Sequence, residues 1–325
     1  MSDIKIAVIG ADQLDPDHHL ALNRLSETGL VTAYALDETA IADGRMAIES
    51  AMQHSAVEAV ILAGHPSDAA DWISIALDLG APIYSTHAVP ETIEDLIEIR
   101  RIEQSRPDAI LQFALTARHH ESALVARSKA ETGEYGNLLT LRGVCGLDGP
   151  ETEGLGTIFE PGAQMVDLMQ AFAGPFQDIA GFADLERTDQ AGTERNIFAT
   201  LRTYSGSLAS VHVSNTQWRP TFRLELGFER GYMWLEGLMT ERYSFGPEAL
   251  IYAKTDGSEA RHETVDQFPD SDGAMVALHA FLSRVRVPAQ PAIGTSQEAF
   301  DTLNTIHRIL AADPIFSPIQ ERQVS

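Results

Sequence analysis

The sequence contains one cysteine, Cys145, and few cationic side chains. A single cysteine excludes an intramolecular disulfide and any metal cage built from several cysteines. Lysine and arginine together number 23 against 47 aspartates and glutamates, which gives a formal net charge of −24. Because nucleic acids and anionic membrane surfaces attract cationic groups, this charge excludes both from the expected partners.

Long hydrophobic runs are absent as well. One of the longest apolar stretches, residues 59–63, is far shorter than the roughly 20 residues that span a bilayer. Residues 1–10 pass directly into a strand pattern, without the basic region, apolar run and cleavage site of an export signal. Together with the single cysteine, these absences predict a protein of the reducing cytoplasm.

The remaining composition is typical of a folded protein. Apolar residues make up 44% of the sequence and charged residues 22%, which disfavours global disorder. The 325 residues suggest two domains at roughly 150 residues each.

The N-terminal third alternates short apolar runs with helical patterns. The runs predicted as strands are residues 5–9, 30–36, 59–63, 82–85 and 109–115. Such alternation is typical of parallel βα units. We therefore predict a parallel-sheet domain over residues 1–120.

The remainder of the chain, residues 121–325, is rich in β-type runs. They are residues 137–144, 196–204, 208–216, 221–228, 232–235 and 250–254. Turn sequences Ser205-Gly206 and Glu229-Arg230-Gly231 separate two pairs of runs, which predicts two hairpins in a mainly antiparallel sheet. We expect two closing helices, residues 273–286 and 296–312, to cover one face of that sheet.

Gly10 follows the first strand, where a dinucleotide-binding fold carries its Gly-x-Gly-x-x-Gly turn. Asp12 and Asp15 occupy the second and third glycine positions. The second glycine normally lets the backbone approach the pyrophosphate, and the helix N-terminus behind it attracts the anion. Gly10 is therefore the retained cofactor-binding residue, whereas Asp12 and Asp15 are predicted to oppose binding.

The sequence Asp15-Pro16-Asp17 suits a different use of this turn. Aspartate is a favoured N-cap, proline fits the first helical position, and acidic residues suit the first turn. A carboxylate about 6 Å from a phosphate costs roughly 3 kcal/mol at an effective dielectric constant of about 20, before screening. We therefore predict that the chain caps this helix itself and that conventional pyrophosphate binding is disfavoured.

Asp37 ends the second predicted strand, where a carboxylate can accept hydrogen bonds from an adenosine ribose. Since no arginine is adjacent to it, this residue would favour NAD over NADP. A strand-end turn is the alternative role. NAD is thus the one cofactor that the sequence suggests, and the carboxylates of Asp12 and Asp15 oppose its binding.

Several segments resemble a known family. They are His18-His19-Leu20-Ala21-Leu22, residues 57–63, Gly133-Glu134-Tyr135-Gly136-Asn137-Leu138, residues 161–168 and the closing helix at 296–310. Over most of the chain the sequence resembles the Gfo/Idh/MocA family, the glucose–fructose oxidoreductase and inositol dehydrogenase group of sugar and polyol dehydrogenases. The resemblance implies a Rossmann-type doubly wound parallel sheet domain followed by an α/β domain with a large open, mainly antiparallel sheet. It also implies NAD or NADP as cofactor and homo-oligomers joined through the C-terminal sheet.

The catalytic residues usual in that family are replaced here. Where members carry Glu-Lys-Pro after a strand, the sequence has Thr86-His87-Ala88, so His87 takes the place of the catalytic lysine. Where members carry Asp-x-x-x-His, the sequence has Glu160 and Gln164. Histidine and glutamate can exchange protons, whereas glutamine can only hydrogen-bond. We predict that His87 and Glu160 form an acid–base pair and that Gln164 orients the substrate. The alternative roles are a loop histidine for His87, a helix-start residue for Glu160 and a hydrogen-bond partner of the backbone for Gln164.

Two further pairs are candidate substrate contacts. Arg118 and His119 begin a helical segment where cationic groups can meet an acidic or hydroxylated substrate, with a solvated basic patch as the alternative. Trp218 and Arg219, near a hairpin, offer an anion or sugar contact, with surface packing as the alternative. The sequence has no His-x-x-x-His spacing, and we predict no metal site.

Three functions remain open, each with a small molecule as partner. The first is an atypical nicotinamide-dependent oxidoreductase that acts on a sugar, polyol or hydroxy acid through His87 and Glu160. The second is a cofactor-independent isomerase, lyase or hydratase that uses the same pair on a keto-sugar-like substrate. The third is a non-catalytic ligand-binding descendant of the family. The resemblance favours the first.

Overall fold

The computed structural model describes residues 3–36, 41–54, 56–63, 69–106, 108–148, 156–159, 161–185, 194–238, 245–255 and 262–313. The chain divides into two compact units. Unit 1 contains Met1–Thr116 and Gly273–Phe300, and unit 2 contains Ala117–Asp272 and Asp301–Ser325. The sequence predicts one domain boundary, at residue 120. Its strand pattern does not indicate that Gly273–Phe300 returns to unit 1.

The helices and strands of the described residues are as follows. The helices are α1 (Pro16–Glu27), α2 (Ile41–His54), α3 (Ala69–Asp78), α4 (Ile93–Gln104), α5 (Glu121–Glu131), α6 (Gly162–Ala173), α7 (Gly273–Arg286) and α8 (Ser296–Ala311). The strands are β1 (Ile4–Ile9), β2 (Val31–Leu36), β3 (Ala59–Leu62), β4 (Ile83–Ser85), β5 (Leu111–Phe113), β6 (Leu138–Asp148), β7 (Phe176–Leu185), β8 (Glu194–Thr203), β9 (Leu208–Ser214), β10 (Thr216–Phe228), β11 (Gly231–Glu236), β12 (Ala249–Lys254) and β13 (Thr264–Gln267).

Unit 1 is built on a five-stranded parallel sheet with the order β2-β1-β3-β4-β5. Ile6, Ile61 and Tyr84, from three of its strands, belong to one buried core with residues of α1 and α7. The ring of Phe281 in α7 packs against Tyr84 with 5.5 Å between centroids. The expectation that residues 273–286 cover the antiparallel sheet is therefore wrong, because the apolar face of α7 packs on the parallel sheet.

Unit 2 contains an eight-stranded sheet with the order β13-β12-β11-β10-β6-β9-β8-β7. Strands β6 and β9 pair in parallel, and the other neighbouring strands pair antiparallel. The two predicted hairpins are confirmed as β8–β9 and β10–β11. The predicted fold class, a doubly wound parallel sheet domain followed by an α/β domain with a large, mainly antiparallel sheet, is confirmed.

One face of the eight-stranded sheet packs against α6. Gly143 and Cys145 of β6 are on this face, and the sulfurs of Met165 and Met169 lie directly over Gly143. A Cβ at position 143 would collide with both methionines. Burial raises the pKa of the Cys145 thiol, so this cysteine is a packing residue and not a nucleophile.

The opposite face, which we call the open face, contains Phe182, Phe198, Leu208, His212 and Arg142. Phe182 pairs with Phe198 across β7 and β8, and Phe198 pairs with His212 across β8 and β9. Phe182, Phe198 and Leu208 are 73%, 56% and 54% exposed. Since side chains alternate between the two faces of a strand, these residues point away from α6.

Candidate functional site

The turn after β1 has a backbone conformation that suits glycine. Gly10 has φ 68° and ψ 42°, in the left-handed region, which glycine adopts at lower cost than other residues. A short 3₁₀ segment, Ala11–Gln13, follows, and Asp12 within it is exposed. Gly10 and Asp12 thus lie at the carboxyl end of β1, the edge at which parallel sheets bind ligands.

Asp15 is the N-cap of α1, as the sequence predicts. Its Oδ1 accepts a hydrogen bond from the backbone N of His18 at 3.1 Å. The carbonyl of Asp15 accepts from the backbone N of His19 at 2.9 Å. Pro16 occupies the first helical position, where a missing N–H costs nothing. The backbone N–H groups of His18 and His19 are therefore satisfied by the chain itself.

The second oxygen of Asp15 begins a buried polar chain. Asp15 Oδ2 lies 2.6 Å from His18 Nδ1, and His18 Nε2 lies 2.9 Å from the Tyr84 hydroxyl. Assigned from these partners, His18 Nδ1–H donates to the carboxylate and Tyr84 O–H donates to Nε2. Burial, and to a smaller extent the Asp15 charge, raise the pKa of Tyr84 well above its ordinary value. The hydroxyl therefore stays protonated as this donor.

His87 lies two residues beyond β4, at the same carboxyl edge of the parallel sheet as Gly10. Its side chain is half-buried. Its backbone N donates to Ser85 Oγ at 3.3 Å, and its carbonyl accepts from Ala114 N at 3.4 Å. The structure therefore brings Gly10 and His87 to one sheet edge, while Asp37 lies outside the described residues.

Gln164 lies in the first turn of α6, in unit 2. Its Oε1 accepts a hydrogen bond from the backbone N of Ala117 at 3.0 Å. Through this contact Gln164 acts as a hydrogen-bond partner of the backbone, which is its alternative role. Its substrate-orienting role stays a prediction. Glu160 lies outside the described residues, so its pairing with His87 also stays a prediction.

Arg118 forms a buried ion pair with Asp167, one helical turn beyond Gln164. Arg118 Nε donates to Asp167 Oδ2 at 2.7 Å, and Arg118 Nη2 donates to Asp167 Oδ1. The two residues are 8% and 0% exposed. With Gln164, this pair holds Ala117 and Arg118 against α6 within unit 2. The substrate contacts of Arg118 and of the buried His119 stay predictions.

Trp218 and Arg219 are exposed on β10. Trp218 is 93% exposed, the highest value among the large hydrophobic side chains of the described residues. The pairing of β10 with β6 shifts register between Thr216 and Thr221, on either side of these residues. A bulge of this kind re-aims side chains at a sheet surface, so both residues are accessible to a ligand.

Sequence reasoning missed Glu194, a buried carboxyl group at the start of β8. Glu194 is 4% exposed, and its Oε1 accepts from the backbone N of Ile158 at 2.9 Å. Gly156 has φ 96°, and a Cβ there would collide with the Glu194 carboxyl. Burial raises the pKa of Glu194 by more than the Ile158 N–H lowers it. Glu194 thus fixes the turn that leads into α6.

A second buried cluster joins His120, Glu248 and Ser271. His120 Nδ1 lies 2.8 Å from Glu248 Oε2 and 3.3 Å from Ser271 Oγ. A catalytic triad needs the serine and the carboxylate on opposite ring nitrogens, whereas both partners here meet Nδ1. Ser271 Oγ and Glu248 Oε1 instead accept from the backbone N of Glu121 and Ser122, so the cluster caps α5.

Within the described ranges, no group of three or more His, Cys, Asp or Glu side chains is placed to hold a metal ion. Of the helices described, none has the length and apolar character needed to cross a membrane.

Comparisons with known proteins identify the fold. No protein-family model matches the sequence, and no curated protein matches it. UDP-N-acetylglucosamine 3-dehydrogenase from Acidithiobacillus ferrooxidans has a TM-score of 0.77 at 14% identity, over 97% of this chain and 99% of its own. Levoglucosan dehydrogenase in complex with NADH and L-sorbose has a TM-score of 0.78 at 14% identity, over 96% and 97%. A variant of a 3-ketoreductase from Actinomadura kijaniata, in complex with TDP-benzene and NADP, has a TM-score of 0.73 at 16% identity, over 96% and 98%.

The Arg118–Asp167 pair should behave as a buried ion pair in unfolding measurements. We expect Asp167→Leu alone to lower the free energy of unfolding by about 3–5 kcal/mol, because it leaves a buried guanidinium without its counterion. Adding Arg118→Met should recover most of this loss, since both charges are then removed. Urea denaturation of the two single variants and the double variant measures the coupling. Additive losses in the double variant would contradict the pairing.

Glu194 should make stability fall as pH rises. A carboxyl group whose folded-state pKa is raised stabilises the fold fully below the ordinary glutamate pKa of about 4.3, and this contribution is lost as pH rises through the folded-state pKa. Glu194→Gln keeps an acceptor for Ile158 N and cannot ionise. We therefore expect its stability relative to the wild type to increase as pH rises above about 4, measured by urea denaturation. The exposed Glu94→Gln is the control, and a pH-independent difference would refute the assignment.

Proposed function

We propose that this chain is an atypical oxidoreductase of Gfo/Idh/MocA type that acts on a sugar, polyol or hydroxy acid, with dinucleotide binding weakened at the Asp15 cap. The fold it shares with two sugar dehydrogenases and a ketoreductase supports the reaction class. Asp12 and Asp15, at positions usual for glycine, support the altered cofactor site.

The capped helix α1 supports the weakened dinucleotide binding in this proposal. A diphosphate binds at a helix N-terminus through backbone N–H groups and the partial positive charge there. At α1 the Asp15 carboxylate already accepts from His18 N and meets His18 Nδ1. A diphosphate would compete for these donors and face a carboxylate, at a cost of about 3 kcal/mol for a separation of about 6 Å and an effective dielectric constant of about 20. The residues present do not fit a diphosphate in its usual position.

The proposed chemistry rests on this chain's own acid–base groups. His87, at the carboxyl edge of the parallel sheet, is the proposed proton donor and acceptor, with Glu160 as its partner and Gln164 as the orienting residue. Trp218 and Arg219 are the proposed contacts for a sugar ring or an anionic group, because both are exposed. Asp37 stays the residue expected to favour NAD over NADP.

A cofactor-independent acid–base enzyme is the second candidate, and a non-catalytic binding protein is the third. The observation that favours both is again the self-capped α1, since neither function needs a diphosphate at that helix. The imidazole of His87 at the sheet edge favours the second candidate over the third, because histidine can exchange protons. Turnover of a keto sugar without added nucleotide distinguishes these two candidates.

We also propose that the chain forms homo-oligomers through the open face. Phe182, Phe198 and Leu208 expose apolar area there, and such patches on soluble proteins mark contact surfaces. Ion pairs Arg202–Asp178 and Arg142–Glu225 lie on the same sheet. A second copy that presents the same face by two-fold symmetry would cover the apolar patch and meet charges of both signs.

Nucleotide titration tests the altered cofactor site. We expect wild-type protein to bind NAD, NADH, NADP and NADPH more weakly than about 1 μM, which corresponds to about −8 kcal/mol. Asp15→Asn keeps an N-cap acceptor and removes the charge, and should increase affinity by roughly tenfold or more. Asp12→Gly combined with Asp15→Gly should increase it further. Isothermal titration calorimetry measures all three proteins.

Glu94→Gln removes a carboxylate from the first turn of α4 and is the matched control, whose affinity should equal that of the wild type. Micromolar binding by the wild type, with no gain in Asp15→Asn, would refute the inhibitory role of Asp15 and restore a conventional dehydrogenase. Keto-sugar turnover that persists without nucleotide and is lost in His87→Ala would select the second candidate.

The oligomeric state tests the open face. We expect wild-type protein to be at least dimeric at about 50 μM, and Phe198→Glu to shift it toward monomer by burying a charge at the contact. Ile97→Glu places the same charge at another exposed apolar position, on α4, and should leave the mass unchanged. Light scattering coupled to size-exclusion chromatography measures both variants. A monomeric wild type would refute the proposal.

A further inference from the structure

The sequence contains only three lysines, Lys5, Lys129 and Lys254. Lys129 and Lys254 line the same cavity in unit 2, whereas Lys5 lies on β1 in unit 1. In a chain with a formal net charge of −24, two of the three lysines thus concentrate positive charge at one place. We call this place the lysine cavity.

The lysine cavity has the size and lining of a small-molecule site. Its volume is about 340 Å³, within the usual range for ligand pockets. Tyr135 and Tyr252 contribute aromatic surface, and Thr132, Thr264 and His262 contribute hydrogen-bonding groups. Tyr135 is buried and packs against a further aromatic ring, so this wall is fixed. The cavity therefore offers hydrogen-bonding groups beside two tyrosines.

The two ammonium groups are held at the cavity by weak, exchangeable contacts. Lys129 Nζ lies 4.1 Å from the centroid of the Tyr252 ring. Lys254 Nζ lies 2.6 Å from Glu134 Oε2, and the two side chains are 39% and 61% exposed. An exposed ion pair of this kind contributes about 0–1 kcal/mol, so an incoming anion can displace Glu134 at low cost. The cation–π contact leaves the Lys129 N–H groups able to donate.

We propose that the lysine cavity binds a small metabolite bearing an oxyanion, either a phosphate or a carboxylate. Lysine binds such groups as a compact point charge with three donors. The carboxyl-terminal end of α5 and Glu134 oppose an anion here, so the affinity depends on Lys129 and Lys254 together. The site lies within unit 2 and is independent of the Asp15 cap and of the proposed reaction.

Lysine-selective NMR tests this proposal directly. Protein labelled with ¹³C and ¹⁵N in lysine alone gives three side-chain signals, assigned with Lys5→Met, Lys129→Met and Lys254→Met. The probes are inorganic phosphate and, separately, succinate, each at an ionic strength held constant with sodium chloride. We expect the signals of Lys129 and Lys254 to shift together and to saturate with a dissociation constant of about 1 mM or lower, while that of Lys5 stays in place.

Calorimetry on unlabelled protein supplies the affinity comparison. The Lys129→Met and Lys254→Met double variant should bind the preferred probe at least roughly tenfold more weakly, and Lys5→Met should bind it like the wild type. Saturation by phosphate alone assigns a phosphorylated ligand, and saturation by succinate alone assigns a carboxylate. Absence of saturation with both probes, or equal shifts of all three lysines, would overturn the proposal. Unchanged thermal unfolding of the variants excludes misfolding as the cause of lost binding.

Discussion

One carboxylate at the start of α1 organises a chain of buried contacts in unit 1. Asp15 uses one oxygen to cap α1 and the other to hold the imidazole of His18. His18 in turn meets the hydroxyl of Tyr84, whose ring packs against Phe281. The start of α1, strand β4 and helix α7 are therefore joined through the contacts of Asp15, His18 and Tyr84. A glycine at position 15 would remove the side-chain cap of α1 and the carboxylate partner of His18.

Much of the fold follows from local sequence patterns, and the exceptions have physical causes. The β8–β9 hairpin was predictable because Ser205-Gly206 separates two alternating runs. Strand β7 was missed because Gly174 and Pro175 immediately precede it and Gly181 interrupts its apolar pattern, and β13 because it is short and polar. Helix α7 was assigned to the wrong sheet, since an apolar helix face indicates burial and does not identify the partner.

The residues of the candidate site also divide into those that the sequence predicts and those that only the folded chain reveals. The cap by Asp15 was predictable because an N-cap, its proline and its first turn are adjacent in sequence. The contact of His18 with Tyr84 joins residues far apart in the chain, and only the folded sheet brings them together. Asp167 did leave a signal, as the lone acidic residue within the otherwise apolar run 165–169 of α6, and such a residue indicates a buried partner. Glu194 left none.

The division of the chain has a consequence for its synthesis on the ribosome. Residues 273–286 complete the core of unit 1, yet they are translated only after the whole of Ala117–Asp272. Until then the nascent chain exposes the apolar surface that Phe281 later covers, including the ring of Tyr84. Unit 1 therefore reaches its native packing late in translation, and chaperones that bind emerging polypeptides have an extended interval in which to act on it.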